Sequence, residues 1–286
     1  MQQAPALPAD APIGVFDSGL GGLSVLRSLR QTLPEEDFIY LADSGFAPYG
    51  ERGDDFVRER SLRIAAELFD RGAKAVVVAC NTATTAAIQA LRARWPQAVL
   101  VGVEPALKPA ALATRTGQVG VLATRGTLQS DKFRQLLDLH GAGARFHCVA
   151  CDGLVAAIEA FDRDRVSALI RQFTQTCLAS GTAAAPVDTL VLGCTHYPLV
   201  EAQIGGCAGP SVRLLDTGLP VARQTRRLLE ARQALRRTDG SEGSGKVGLG
   251  KVVWQTTGEP ERLNRAVAQW LQWAEAGSET CQALMA

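Results

Sequence analysis

Ala75-Val-Val-Val-Ala79 is an apolar run with no polar alternation, and Cys80-Asn81-Thr82 follows it at once. A strand that is apolar on both faces belongs in a parallel sheet covered by helices. From Thr82 to Arg94 the pattern is helical. Working outward, Ile13–Phe16, Phe38–Leu41 and Val99–Val103 are further runs of the same kind, and Leu23–Leu33 and Asp54–Arg71 are amphipathic helices between them. This alternation predicts an α/β fold with mainly parallel strands flanked by helices.

The rhythm then restarts. Val119–Ala123, Arg145–Val149, Leu190–Leu192 and Val212–Leu215 read as strands, and Thr127–Leu139, Gly153–Ala160 and Arg163–Ser180 as helices. Ile13-Gly-Val-Phe-Asp17 and Val119-Gly-Val-Leu-Ala123 open the two halves alike, and Val191-Leu-Gly-Cys194-Thr195-His196 repeats the strand-then-cysteine pattern of Val77–Thr82. The two glycines, Gly14 and Gly120, lie 106 positions apart and the two cysteines 114 apart, as expected of a degenerate repeat. Two similar lobes are therefore predicted: residues 12–105 with 216–286 in one, 106–215 in the other, preceded by a flexible arm over 1–11. The Gly-rich stretch Thr238–Gly250, a strand over Lys251–Gln255 and a helix over Pro260–Ala274 complete the reading.

The composition narrows the function. The chain has 286 residues, 47% hydrophobic and 21% charged, with a net charge of +1. That balance supplies no field for nucleic acid or acidic membrane, and no apolar run approaches a membrane span. The first twelve residues, MQQAPALPADAP, lack the basic and apolar regions of a secretory leader. The seven cysteines, Cys80, Cys148, Cys151, Cys177, Cys194, Cys207 and Cys281, are accordingly read as reduced cytoplasmic thiols.

Cys80 and Cys194 fall where open α/β sheets bind ligands, just past the carboxyl ends of strands. A helical pattern follows each, and a helix N-terminus favours an anion, so both thiolates are expected to gain stabilisation. Two thiols facing each other across a cleft permit racemisation: one removes a Cα proton and the other returns a proton to the opposite face. His196, beside Cys194, is the histidine placed to assist. Asp17-Ser18-Gly19-Leu20-Gly21-Gly22 is a Gly-rich turn whose amides could hold a carboxylate, with Asp17 near the chemistry; helix capping is the simpler reading, and a dinucleotide fingerprint the remote one, because Ser24 replaces its last glycine. Cys148-Val-Ala-Cys151 has no second pair to complete a zinc site and reads as structural.

Taken in order, these segments resemble the glutamate racemases of the cofactor-independent aspartate/glutamate racemase superfamily. The match runs from about Ile13 to Leu219 and rests on the opening motif Ile13–Gly22, on Tyr40–Ser44 with Pro48-Tyr49-Gly50, on Val78–Thr84, on Leu192–Leu199, and on Gly102–Pro105 and Asp216–Gly218. The resemblance implies interconversion of L- and D-glutamate with no metal, nucleotide or other cofactor, supplying peptidoglycan synthesis, with the active site in a cleft between the lobes. It implies that Cys80 deprotonates D-glutamate with help from Asp17, and Cys194 L-glutamate with help from His196 and Glu159. Ser18, Tyr49, Gly50, Asn81, Thr82, Thr124, Thr127 and Thr195 would bind the substrate together with Asp17 and His196. A small-molecule partner is implied, nucleic acid and membrane are not, and a homodimer fits the family. The segment around Glu159 departs from the family pattern, lacking its usual Pro and paired Glu. An aspartate racemase, a dinucleotide-binding oxidoreductase and a non-catalytic amino-acid-binding protein are the alternatives that the residues leave open.

Overall fold

The computed structural model describes residues 8–140, 143–236, 249–273 and 277–285. Residues 1–7 of the arm expected over 1–11, and most of the Gly-rich stretch, 238–248, lie outside them. The chain forms two compact units, one built from residues up to Val103 and from Gly218 onward, the other from Glu104–Thr217.

In the first unit β1 (Ile13–Asp17), β2 (Phe38–Ala42), β3 (Ala75–Val78), β4 (Val99–Gly102), β9 (Val252–Thr256) and β10 (Glu279–Thr280) form one sheet. Its order is β10-β9-β2-β1-β3-β4, and every pair is parallel. All residues of β1, β2 and β3 are buried, as their unbroken apolar character requires. Helix α2 (Asp54–Asp70) packs with α3 (Asn81–Arg94), and Phe16, Val76 and Val78 share a core with Ile64, Leu68, Ala87 and Leu91 of those helices. Helix α1 (Leu23–Thr32) packs with α10 (Gly218–Ala231). Each fully buried aliphatic side chain contributes about 1.5–3 kcal/mol.

In the second unit β5 (Gln118–Ala123), β6 (Arg145–Ala150), β7 (Thr189–Leu192) and β8 (Arg213–Leu215) form a parallel sheet in the order β6-β5-β7-β8. Helices α4 (Leu107–Ala113), α5 (Arg125–Gln129), α6 (Asp131–His140), α7 (Leu154–Glu159), α8 (Arg163–Leu178) and α9 (Glu201–Ala208) belong to it. β6 is an edge strand, and its residues are only partly covered.

The repeat extends to single hydrogen bonds. Ala79 N–H donates to Phe16 C=O and Gly193 N–H to Leu122 C=O, each at 2.7 Å. Asp43 N–H donates to Asp17 C=O at 2.8 Å, and Cys151 N–H to Ala123 C=O at 2.9 Å. β1 and β5 thus play one part, β3 and β7 another, and Cys80 and Cys194 each sit two residues past the end of the equivalent strand.

Some elements differ from the sequence reading. The helix expected over Thr127–Leu139 is two helices, broken at Ser130, whose backbone is extended and whose Oγ accepts from Phe133 N–H. The helix expected over Pro260–Ala274 is α11 (Pro260–Ala266) followed by a π-helical turn, Val267–Leu271, that ends at Gln272 with φ 55°. The short α4 and β10 have too few residues for a periodic signal.

Gly120 lies at a close approach: a Cβ there would stand 2.4 Å from both Cys177 Sγ and Leu190 Cδ2. Gly206, inside α9, has open space at that position. Gly120→Ala is expected to cost about 1–3 kcal/mol by overpacking, and Gly206→Ala to add about 0.5–1 kcal/mol. Urea unfolding midpoints of the two variants check both signs.

Candidate active site

In the first unit the polar set gathers at the carboxyl edge of β1 and β3. Cys80 caps α3: its Sγ accepts Ala83 N–H at 3.4 Å, and its thiol reaches Ser18 Oγ at 3.4 Å. Asp17, the last residue of β1, is fully buried. Its carboxylate accepts Ser18 N–H at 2.8 Å and Gly22 N–H at 2.5 Å. Those two amides of the Gly-rich turn are therefore taken by the chain's own carboxylate, which favours the capping reading for them. A Cβ at Gly22 would meet Asp17 Cβ at 2.7 Å, so the turn needs glycine there.

The expected depression of the Cys80 thiol is not what the environment produces. Burial, followed by the negative charge of Asp17, pushes its pKa up to about 12 against the smaller pull of Ser18 and the Ala83 amide. Cys80 in this structure is a protonated thiol. Asn81 and Thr82 begin α3 beside it. Asn81 is buried, and its Oδ1 has no hydrogen-bond partner, an unmet acceptor on the residue that follows Cys80. Tyr49 is buried in the same core as Cys80, and Gly50 follows it in an exposed turn that packs on α3.

In the second unit the polar set gathers at the carboxyl edge of β5 and β7. Cys194 Sγ lies 3.7 Å from His196 Nδ1, and His196 Nε2 lies 2.8 Å from Glu159 Oε1. Burial opposes a charge on His196, but its hydrogen bonds to Cys194 and Glu159 overcome that and raise its pKa well above the ordinary value. The charged form of the imidazole is thus favoured by folding. That contribution is complete below about pH 6.5 and fades only as pH rises through the raised value. Cys194 does not cap an α-helix as Cys80 does; a short 3₁₀ turn, Tyr197–Val200, intervenes before α9. Thr124 caps α5, its Oγ1 accepting Thr127 N–H at 3.3 Å and lying 2.9 Å from Thr127 Oγ1. Thr195 is buried between Cys194 and His196.

Of the site residues expected from the sequence, Asp17, Ser18, Cys80, Asn81 and Thr82 lie at the carboxyl edge of the first sheet and Thr124, Thr127, Glu159, Cys194, Thr195 and His196 near that of the second, while Tyr49 lies in the apolar core with Cys80 and Gly50 in an exposed turn. The sequence profile of the Asp/Glu/Hydantoin racemase family matches residues 13–225. The chain belongs to that family. It is 46% identical over 267 residues to a glutamate racemase of Stutzerimonas stutzeri, covering 93% of this chain and 95% of that one. It is 51% identical over 229 residues to one of Ectopseudomonas mendocina, covering 79% and 85%. Among solved structures, the glutamate racemase isoform RacE1 of Bacillus anthracis has TM-score 0.81 at 29% identity, covering 95% of this chain and 97% of that one. The Escherichia coli glutamate racemase, solved with L-glutamate and an activator, UDP-MurNAc-Ala, has TM-score 0.77 at 31% identity, covering 94% and 98%. An amino-acid racemase, an isomerase, is the activity this membership carries.

Other sequence signals fall outside both sets. His147 pairs with Gln118 at 2.8 Å across β5 and β6, and Cys148 is an exposed free thiol. Among the described residues no three His, Cys, Asp or Glu side chains could hold a metal, and no helix is long and apolar enough to cross a membrane. The sequence reading missed Arg60. It is buried in the apolar face of α2, three residues after Val57 and four before Ile64, and an arginine in an apolar stripe was the signal.

Glu159→Gln removes the carboxylate that favours charge on His196. The His196 pKa is expected to fall, because burial then acts with less opposition. An imidazole ¹⁵N NMR titration of the wild type and the variant checks the direction.

Proposed function

We propose that the protein interconverts L- and D-glutamate by two-base proton transfer, with Cys80 and Cys194 as the proton carriers. The observation that carries this reading is the matched placement of the two thiols: equivalent strand ends in two similar units, each beside groups that handle protons or bind polar substrate. The L-glutamate in the related Escherichia coli structure supports the substrate.

Cys194 Sγ, as thiolate, takes the Cα proton of L-glutamate while the Cys80 thiol gives its proton to the opposite face. Cys194 is then a thiol and Cys80 a thiolate, and the same steps reversed convert D- to L-glutamate. The protonated state of Cys80 suits the donor role. His196, favoured in its charged form and held by Glu159, is the cationic partner for a sulfur anion at Cys194. Asp17 assists Cys80: its negative charge holds the thiol protonated, ready to donate, and makes the thiolate left after donation a stronger base for the reverse reaction. The unmet Asn81 Oδ1 suits the substrate's α-ammonium group. Ser18, Thr82, Tyr49, Gly50, Thr124, Thr127 and Thr195 bind its carboxylates and fix which face meets which sulfur. D-Glutamate so formed serves peptidoglycan synthesis in the cytoplasm.

Proton NMR of L-glutamate in D₂O with purified, reduced protein and no added cofactor is expected to show loss of the Cα–H signal. Chiral analysis of the same sample should find D-glutamate. Cys80→Ala and Cys194→Ala should each abolish racemisation, since each leaves one face without a proton carrier. An intact Cα–H signal with folded protein overturns the reading.

A further inference from the structure

Asp43 ends the hydrogen-bonded run of β2 and is fully buried. Its carboxylate is crowded with donors. Arg60 Nη2 reaches Oδ1 at 2.6 Å and Arg60 Nε reaches Oδ2 at 3.1 Å. Tyr49 OH donates to Oδ2 at 2.5 Å and Thr257 Oγ1 to Oδ1 at 2.8 Å. The remaining side of the guanidinium is used as well: Nη1 donates to Leu284 C=O at 2.9 Å, and the Phe46 ring lies 3.6 Å from its central carbon. Four separate stretches of the first unit meet here: β2 with the following turns, α2, the loop after β9, and the end of the described chain.

This arrangement is not explained by stability. A buried ion pair is commonly matched by apolar residues of the same volume, and a leucine at position 60 would continue the stripe of Val57, Ile64 and Leu68. Nor is Asp43 placed to act as a base, since both its oxygens already accept two hydrogen bonds each. What the pair does hold is Tyr49. That ring lies in the Cys80 core, and the turn it begins, Tyr49–Glu51, packs on the helix that Cys80 caps.

We propose that Asp43 and Arg60 are positioning residues for the glutamate reaction: through the Tyr49 hydroxyl they fix the Tyr49-Gly50 turn beside Cys80, and the Leu284 carbonyl fixes Arg60 in turn. The inference rests on the racemase reading above. Substrate that is held by the turn equally in its ground and transition states loses affinity, not turnover, when the turn loosens. L- and D-glutamate have equal free energies, so kcat/KM must change by one factor in both directions.

The test is steady-state kinetics with each enantiomer for the wild type, Tyr49→Phe, Arg60→Met, Arg60→Lys and the Tyr49→Phe/Arg60→Met double variant, with melting temperatures alongside. Loss of one hydrogen bond in Tyr49→Phe is expected to raise KM about fivefold for both enantiomers, with kcat within about twofold. Arg60→Met should raise KM further, and Arg60→Lys, which restores the charge and one hydrogen bond, should lie between it and the wild type. Adding Tyr49→Phe to Arg60→Met should then cost less than about twofold more, since both changes open one contact. Unchanged KM in folded variants whose melting temperatures fall overturns the proposal and makes the pair purely structural. If Arg60→Met does not fold, Tyr49→Phe decides alone by the same criterion. A wild type that leaves Cα–H intact overturns the racemase reading itself, and that result is visible before any variant is made.

Discussion

Parallel pairing of β1 with β3, and of β5 with β7, is the constraint on which the site depends. In a parallel sheet all strands end at the same edge, so residues distant in sequence arrive there together. The register Phe16 with Val78 brings Asp17 and Ser18 beside Ala79 and Cys80. The register Leu122 with Leu192 brings Ala123 and Thr124 beside Gly193 and Cys194. A slip of one residue in either pair would leave apolar side chains on both faces but displace the residues at that sheet edge and scatter that unit's polar set. Close packing enforces the register: Gly14 leaves room for Leu68, and Gly120 for Cys177 and Leu190.

One backbone slot, used twice, holds two different electrostatic settings. Next to Cys80 stands a buried carboxylate, and burial with that negative charge keeps the sulfur protonated. Next to Cys194 stands an imidazole whose positive charge is favoured by Glu159. The asymmetry comes from short side-chain differences at equivalent places: Asp17 corresponds to Ala123, and Asn81-Thr82 to Thr195-His196. The second ring of residues differs as well, since Asp43 is committed to Arg60 while its counterpart after β6 is the thiol Cys151.

The sequence by itself determined the fold class, the matching strands that open the two halves, and which chemistry-bearing residues follow the strands. It could do so because buried parallel strands are unbroken apolar runs, and because the chemistry-bearing residues follow those runs directly, as Cys80 follows Ala75–Ala79. Short elements such as β10 and α4 were illegible, since two to seven residues carry no period. The protonation of Cys80 was decided only by the tertiary structure: a helix N-terminus argues for the thiolate, but burial and Asp17, neither measurable from local sequence, outweigh it. The same holds for Glu159, which α7 brings from 37 residues away to His196, and for the contact of Arg60 with Asp43 and Leu284, which joins positions up to 224 residues apart. Such contacts depend on where whole elements pack, and no spacing within one element encodes that.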